Sequence, residues 1–90
     1  MGMGERKRRS KKEIICEILS EALNGASKTR LMYKCNLNFE RFNNYLKEML
    51  KANLLECTTS NPGGLIIFRT TDKGKELLKI LQRADELFFV

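Results

Sequence analysis

The sequence predicts an α+β fold in which three helices are followed by a two-stranded β-hairpin and a last helix. Two observations support this prediction. Apolar residues recur at helical spacing in four segments, and the turn sequence Asn61-Pro62-Gly63-Gly64 separates two short runs of strand-forming residues. The chain has 90 residues, which is enough for one hydrophobic core, so we expect a single domain.

The first helix is expected to begin at Ser10 and to end near Asn24. Ser10 and Glu13 form a capping box, in which the hydroxyl and the carboxylate each accept a hydrogen bond from a backbone N–H group. Gly25 is expected to end the helix, because glycine adopts the left-handed conformation of a C-terminal cap without strain. The side chains expected to face the core are Ile15, Ile18, Leu19 and Ala22.

Two further helices form the centre of the predicted domain. Ser27 is suited to cap a second helix that ends near Cys35, and Asn38 is suited to cap a third helix over residues 38–52. The expected inward stripe of the third helix consists of Phe39, Phe42, Leu46, Met49 and Leu50. Its expected outward face consists of Glu40, Arg41, Asn44, Lys47 and Lys51.

The second half of the chain predicts a hairpin over residues 54–70 and then the last helix. Proline fixes φ at one corner of the hairpin turn, and glycine supplies the positive φ of the next corner. Thr71 is expected to cap a helix that begins at Asp72, and Gly74 lies in its first turn, where a glycine costs least.

Apolar residues repeat in this last helix at intervals of seven, which predicts a short coiled-coil seam. The seam consists of Leu77, Ile80, Leu81, Ala84, Leu87 and Phe88. The apolar end formed by Leu87, Phe88, Phe89 and Val90 is more than one small domain can cover, so we expect a homodimer through this helix. The alternative is a monomer in which this end folds back on the first helix.

The excess of positive charge is concentrated at the N-terminus. The whole chain carries 17 basic and 11 acidic residues, for a net charge of +6, and residues 1–12 hold six of the basic residues and one acid. We therefore expect a disordered basic arm over residues 1–10. The predicted elements then place the main domain over residues 11–71 and a dimerisation helix over residues 72–90. Such an arm suits DNA, RNA or an anionic membrane surface, although many basic tails are simply solvated.

The groups that catalysis or metal binding would need are missing from the sequence. There is no histidine and no nucleophile motif, so we expect no enzymatic activity. The three cysteines, Cys16, Cys35 and Cys57, are widely spaced and form no C-x-x-C pair, so we expect reduced, buried thiols and neither a metal nor another cofactor. No apolar run approaches the roughly 20 residues that span a bilayer, so we expect no membrane partner, and the reduced thiols predict a cytoplasmic protein.

The second and third helices, joined by a three-residue turn, fit a helix-turn-helix motif. In that motif the second helix enters the major groove of DNA, which makes residues 38–52 the expected recognition helix. Residues 27–51 carry six basic side chains against two acids, although the solvated faces of any basic protein can look similar. Asn43 and Asn44 favour DNA, because asparagine is a poor helix former and pairs bidentately with an adenine edge.

Two segments of the chain also resemble a known family. The run GASKTRLMYKCNLNFERFNNYLKEMLKANLLE, followed by TDKGKELL, is similar to the archaeal winged-helix DNA-binding proteins typified by the Sulfolobus ten-a chromatin protein. The similarity covers roughly residues 11–81. It rests on Lys28-Thr29-Arg30, Tyr33, Asn36-Leu37, Tyr45-Leu46, Thr71 and Lys73-Gly74. It implies a winged helix whose wing is the hairpin, and homodimers that pair the C-terminal helix in an antiparallel coiled coil. Here that helix has room for two to three heptads before Val90.

We therefore expect a double-stranded DNA-binding protein, acting as a transcriptional regulator or as a chromatin-associated protein of the nucleoid. The alternative is a winged-helix protein-interaction module, or an RNA-binding subunit of a larger complex. The wing is expected to reach an adjacent groove through Asn61 and Arg69. The remaining expected contacts are Lys28, Thr29, Arg30, Tyr33, Lys34, Arg41, Asn43, Asn44, Lys47 and Lys51.

Overall fold

Four helices and one antiparallel hairpin follow one another in the order that the sequence predicts. The structure is a computed structural model that describes the backbone of residues 9–60 and 63–89 and the side chains of residues 9–59 and 63–84. The elements are α1 (Lys11–Glu21), α2 (Lys28–Lys34), α3 (Phe39–Lys51), β1 (Leu55–Ser60), β2 (Leu65–Thr70) and α4 (Asp72–Phe89). The predicted fold class, three helices with a hairpin wing and a C-terminal helix, is confirmed.

Each of the first three helices begins at its predicted N-cap. Ser10 Oγ accepts a hydrogen bond from the backbone N–H of Glu13 at 3.2 Å, and Glu13 Oε1 accepts one from the backbone N–H of Ser10 at 2.8 Å. Ser27 and Asn38 cap α2 and α3 in the same way. Such a cap typically contributes about 1 kcal/mol to helix stability, so these polar residues largely fix where the helices begin.

The first helix ends three residues earlier than predicted. Its last residue is Glu21 and its C-cap is Ala22, whereas Gly25 lies in the following turn with φ of 93°. The carbonyl oxygen of Ala22 accepts hydrogen bonds from the N–H groups of Gly25 and Thr70, both at 3.0 Å. The N–H group of Thr70 in the hairpin thus bonds to a carbonyl group that a longer helix would need for its own hydrogen bonds, so the helix ends there.

The core is formed by buried side chains of all four helices and of the hairpin, and three of the predicted core residues are not fully buried. Ile14, rather than Ile15, is fully buried on α1, while Ile15 is half-buried. Phe42, Leu46 and Met49 are buried on α3 as predicted. Phe39 is 61% exposed and Leu50 is 36% exposed. Both lie about 60–80° around the helix from Phe42, at the edge of the buried stripe rather than within it.

The hairpin has a regular register from Leu55 opposite Thr70 to Ser60 opposite Leu65. Its base is attached to the helices by a bridge in which Ala26 and Phe68 exchange two backbone hydrogen bonds of 2.9 Å. Gly63 and Gly64 adopt positive φ angles, in keeping with the predicted turn, and the preceding turn residues 61–62 lie outside the described part of the chain.

The start of α4 is tied to the end of α3 by the predicted cap. Thr71 Oγ1 accepts a hydrogen bond from the N–H of Gly74 at 3.0 Å and donates one to the carbonyl oxygen of Asn53 at 2.7 Å. Lys73 Nζ donates to the carbonyl oxygen of Ala52 at 3.0 Å. The helix then packs mainly against α1, with Leu78 buried.

The three cysteines have different surroundings, and the prediction of three buried thiols is wrong for one of them. All three are free, but Cys35 is buried, Cys16 is half-buried and Cys57 is exposed. Burial, together with the negative charges of Glu17 and Glu21, raises the pKa of Cys35 to about 11, so its thiol stays protonated at neutral pH. Cys57 is exposed because β1 leaves the core after Leu55 and projects into solvent.

Gly74 is predicted to tolerate no side chain. A Cβ atom there would lie 2.3 Å from the backbone oxygen of Leu54 and 2.7 Å from Thr70 Cγ2. In an exposed helix, alanine is favoured over glycine by about 1 kcal/mol. Here we expect Gly74→Ala to lower the free energy of unfolding by roughly 1–3 kcal/mol, because the backbone must move apart. Chemical denaturation of both proteins measures this difference.

Lys75→Ala is the matched control, because Lys75 is exposed on the next position of the same helix. We expect it to change stability by less than about 0.5 kcal/mol. A Gly74→Ala protein that is as stable as the parent would show that the close approach of α4 to Leu54 is not a constraint.

Candidate nucleic-acid interface

The turn between α2 and α3 sets the two helices of the motif at an angle. Cys35 ends α2, and Asn36 follows in the left-handed region with φ of 53°. Leu37 then points into the core with 7% of its surface exposed, and Asn38 caps α3. The expected three-residue turn therefore forms because a residue tolerant of positive φ, an apolar anchor and a helix cap follow in that order.

The outward arc of α3 is placed as the sequence predicts. Its residues Glu40, Arg41, Asn44, Lys47 and Lys51 are all exposed. They lie opposite the buried stripe, so packing of the stripe against the core turns this arc towards solvent. Asn43 is half-buried at the edge of the stripe, which leaves Asn44 as the more accessible of the two amides.

The exposed face of α2 carries polar and aromatic side chains. Thr29, Arg30, Tyr33 and Lys34 are exposed, with Tyr33 at 81%. Lys28 is half-buried, and its ammonium nitrogen lies 5.0 Å from the centre of the Phe39 ring. This cation–π contact, of a kind that contributes about 0.5–1 kcal/mol at an exposed site, joins the start of α2 to the start of α3.

The cations of this surface have no acidic partners within the described part of the chain. The ion pairs found there are Arg9 with Glu17 and Lys11 with Glu48, the latter at 3.4 Å. None of the basic side chains of α2 and α3 therefore forms an ion pair with a carboxylate of the described residues, although Lys34 lines a pocket together with Glu17 and Glu21 of α1. These basic side chains are Lys28, Arg30, Lys34, Arg41, Lys47 and Lys51. Such a face produces a positive potential that attracts a polyanion.

Arg9, inside the predicted arm, and Lys11, just after it, both contact the folded domain, which sequence reasoning did not reveal. Arg9 pairs with Glu17 and also donates a 3.1 Å hydrogen bond to the carbonyl oxygen of Asn36, at the end of α2. Lys11 lines a shallow pocket together with Asn44, Tyr45 and Glu48 of α3. No sequence pattern relates positions so far apart, because only the packing of α1 against α3 brings them together.

The wing differs in character from the predicted one. Arg69 is exposed, but its guanidinium lies at the base of the hairpin, where Nη2 would be 3.4 Å from a Cβ atom at Gly25. Asn61 lies outside the described residues. Leu65 and Ile66 are 56% and 51% exposed, since the strand there has left the core. The described end of the wing therefore carries exposed apolar side chains. The strand-forming pattern of residues 65–70 does not show that these side chains are left uncovered.

The predicted dimer seam on α4 is partly accessible in one chain. Ile80 is 57% exposed and Ala84 is exposed, whereas Leu77 and Leu81 are half-buried against the domain. The side chains of Leu87 and Phe88 lie outside the described part. Two exposed apolar side chains, those of Ile80 and Ala84, therefore lie on the side of α4 away from the buried Leu78.

Two further classes of site are not found in the described residues. They contain no group of three or more histidine, cysteine, aspartate or glutamate side chains arranged to hold a metal ion. Within the same part of the chain, no helix combines the length and the apolar character needed to cross a bilayer.

The comparisons with known proteins agree with this architecture. A family model for the winged helix-turn-helix matches residues 8–88, and the chain belongs to that family. No curated protein sequence matches the chain. Among solved structures, Sso10a-2, a DNA-binding protein from Sulfolobus solfataricus, superposes with a TM-score of 0.74 and 26% sequence identity, over 88% of this chain and 81% of that one.

A second solved structure shares the fold at lower sequence identity. The MarR family transcriptional regulator SPO1453 from Silicibacter pomeroyi DSS-3 superposes with a TM-score of 0.66 and 17% identity. The superposition covers 82% of this chain and 54% of that one. The arrangement of helices and hairpin is thus common to chains with very different sequences.

Proposed function

We propose that the protein binds double-stranded DNA, with α3 in the major groove and the hairpin as a wing over an adjacent groove. The observation that carries this proposal is the cationic face of α2 and α3, whose basic side chains have no acidic partners among the described residues. Membership of the winged helix-turn-helix family and the likeness to a DNA-binding protein of Sulfolobus solfataricus support it. Phosphate binding by lysine and arginine supplies the sequence-independent part of such affinity.

Within this face we assign different roles to α3 and α2. Asn44 is the candidate for a base edge, because its amide is exposed at the middle of the outward arc and can pair bidentately with adenine. Arg41, Lys47 and Lys51 are candidates for phosphate or guanine. Arg30, Tyr33 and Lys34, together with Lys28 and Thr29 at the start of α2, would hold the DNA backbone. Asn43 is a lesser candidate, since it is half-buried.

The wing contacts are proposed at its base and at its end. Arg69 lies at the base, close to Gly25 and the start of α2, where it would extend the cationic face towards a neighbouring phosphate. Asn61, in the turn sequence, is the candidate for the groove itself. Such a footprint fits either a transcriptional regulator or a chromatin-associated protein of the nucleoid, as in the archaeal family that the sequence resembles.

We further propose that α4 pairs with its counterpart in a second copy. Ile80 and Ala84 are exposed apolar side chains one helical turn apart on α4, and Leu87 continues their heptad pattern. Pairing of two α4 helices would remove these apolar side chains from water. Two recognition helices would then bind DNA as one unit.

Loss of the central side chains of α3 is predicted to weaken DNA binding. If the protein prefers particular sequences, Asn44→Ala should reduce that preference by roughly 1–3 kcal/mol, whereas Lys47→Ala should weaken binding to all sequences alike. Fluorescence anisotropy with specific and random duplexes measures both effects. The control is Lys75→Ala with Lys79→Ala, which removes two exposed cations from α4 instead. Undiminished duplex binding by a folded Asn44→Ala, Lys47→Ala double variant would contradict the proposal.

The basic arm is predicted to add affinity that depends on salt but not on sequence. Arg9 and Ser10 are engaged in α1 contacts, so the deletion that tests the arm removes residues 1–8 only. We expect the slope of log K against log salt to become shallower by about 0.9 for each phosphate that the arm neutralises in the intact protein. Deletion of residues 1–4, which carry no charged side chain, is the control. An unchanged slope after removal of residues 1–8 would show that the arm does not bind phosphate.

The α4 interface is predicted to make the intact chain a dimer at micromolar concentration. A chain that ends at Arg83 should sediment as a monomer, because it lacks the last heptad of the seam. Ile80→Lys should have the same effect without disturbing the core, since Ile80 is 57% exposed. Lys79→Ala, at the neighbouring exposed position, should remain dimeric. An intact chain that sediments as a monomer would refute the dimer.

A further inference from the structure

Two aromatic rings on α2 and α3, next to the basic side chains, are exposed, and neither is buried in the core. Tyr33 on α2 is 81% exposed and Phe39 at the start of α3 is 61% exposed. The Lys28 ammonium lies over the Phe39 ring, so one face of that ring is occupied and the rest is open to solvent. Burial of an apolar ring against a ligand is favourable, so both rings are candidates for contact with a ligand.

Tyr33 also forms one wall of an open groove along α2. The groove has a volume of about 330 Å³ and is lined by Thr29, Met32, Tyr33, Asn36 and Leu37. Thr29 and Tyr33 are four residues apart and Met32 is four residues from Lys28, so these side chains form one continuous strip of the helix surface. The strip combines an aromatic ring, apolar surface and amide or hydroxyl groups, which is the chemistry that accepts the face and edge of a nucleobase.

The charges around the groove indicate which kind of nucleic acid would supply the base. Arg30 and Lys34 lie on the same helix as Tyr33, are exposed, and have no acidic partner among the described residues. Single-stranded nucleic acids are bound by this combination, in which cations follow the phosphates and aromatic rings stack on successive bases. In a duplex, by contrast, each base is already stacked on its neighbours, so an aromatic ring can stack on a base face only if a base step is first unstacked.

We propose that this strip of α2, with Phe39, is a binding site for single-stranded DNA, in which an unpaired base stacks on Tyr33 while Arg30 and Lys34 hold the flanking phosphates. Phe39, with Lys28 on its other face, provides a second stacking platform. The assignment to DNA rests on the proposed function, because the same cationic face is there assigned to duplex DNA. The site would let the protein hold a strand that has separated from its partner.

Tyrosine fluorescence tests the proposal directly. The chain has no tryptophan and two tyrosines, of which Tyr45 is half-buried on α3. A Tyr45→Phe protein therefore reports on Tyr33 alone. Titration with a twelve-residue oligothymidylate should lower this emission, because a base stacked on the ring quenches its fluorescence. A hairpin duplex of the same length should quench it less.

Substitution of Tyr33 separates stacking from a simple backbone contact. Tyr33→Ala should bind oligothymidylate roughly 5- to 100-fold more weakly, and Tyr33→Phe should retain parental affinity because the ring is kept. Binding of the duplex by Tyr33→Ala should fall by a much smaller factor. The exposure of Tyr33 makes both variants compatible with the fold, and thermal unfolding checks this.

The outcomes distinguish this site from the proposed function. Quenching by oligothymidylate in a protein that fails to bind duplex supports the stacking site and refutes the duplex proposal. Absence of quenching, or an equal loss of single-strand and duplex affinity in Tyr33→Ala, overturns the stacking site and leaves duplex binding intact. Tighter binding of oligouridylate than of oligothymidylate overturns the assignment to DNA.

Discussion

The close approach of α4 to the turn after α3 is the contact on which the arrangement of the other elements depends. Gly74 lies against the backbone oxygen of Leu54, and Thr71 joins the carbonyl oxygen of Asn53 to the first turn of α4. On the other side of the same junction, the buried Thr70 hydroxyl donates a 2.7 Å hydrogen bond to the carbonyl oxygen of Leu19 in α1. The ends of two helices, the base of the hairpin and the start of the last helix thus meet at one point.

This junction also explains how a domain of this size holds α3 and the hairpin in a fixed relation. The hairpin is attached to the helices by the Ala26–Phe68 bridge and by the hydrogen bond from Thr70 to Ala22, while α3 leads directly into β1 through Asn53 and Leu54. Backbone hydrogen bonds that are buried or tightly packed are expensive to leave unmade, so they restrict the positions open to the hairpin. The proposed binding mode would need this restriction, since it places α3 and the wing in neighbouring grooves.

The ion pairs of the described residues lie near the start of α1, and none involves the basic side chains of α2 and α3. Near the start of α1, Arg9 and Lys11 meet Glu17 and Glu48, so the base of the arm is held against the helices. The cations of α2 and α3 have no such partners among the described residues, although exposed ion pairs would have contributed little stability in any case. Folding therefore does not require such ion pairs, and under the proposed function these cations would bind the phosphates of DNA. In the proposed single-strand site, the exposed rings of Tyr33 and Phe39 would stack on bases.

The sequence by itself determined the element order, the N-caps at Ser10, Ser27 and Asn38, and the outward arc of α3, because these features depend on local hydrogen bonds and on helical periodicity. Only the tertiary structure decided which residues at the edges of that periodicity are covered. Phe39 and Leu50 match an inward stripe in the sequence, yet no neighbouring element buries them. It likewise decided that the start of α1 lies beside α3 and that Gly74 is confined, because these depend on distances between segments remote in the chain.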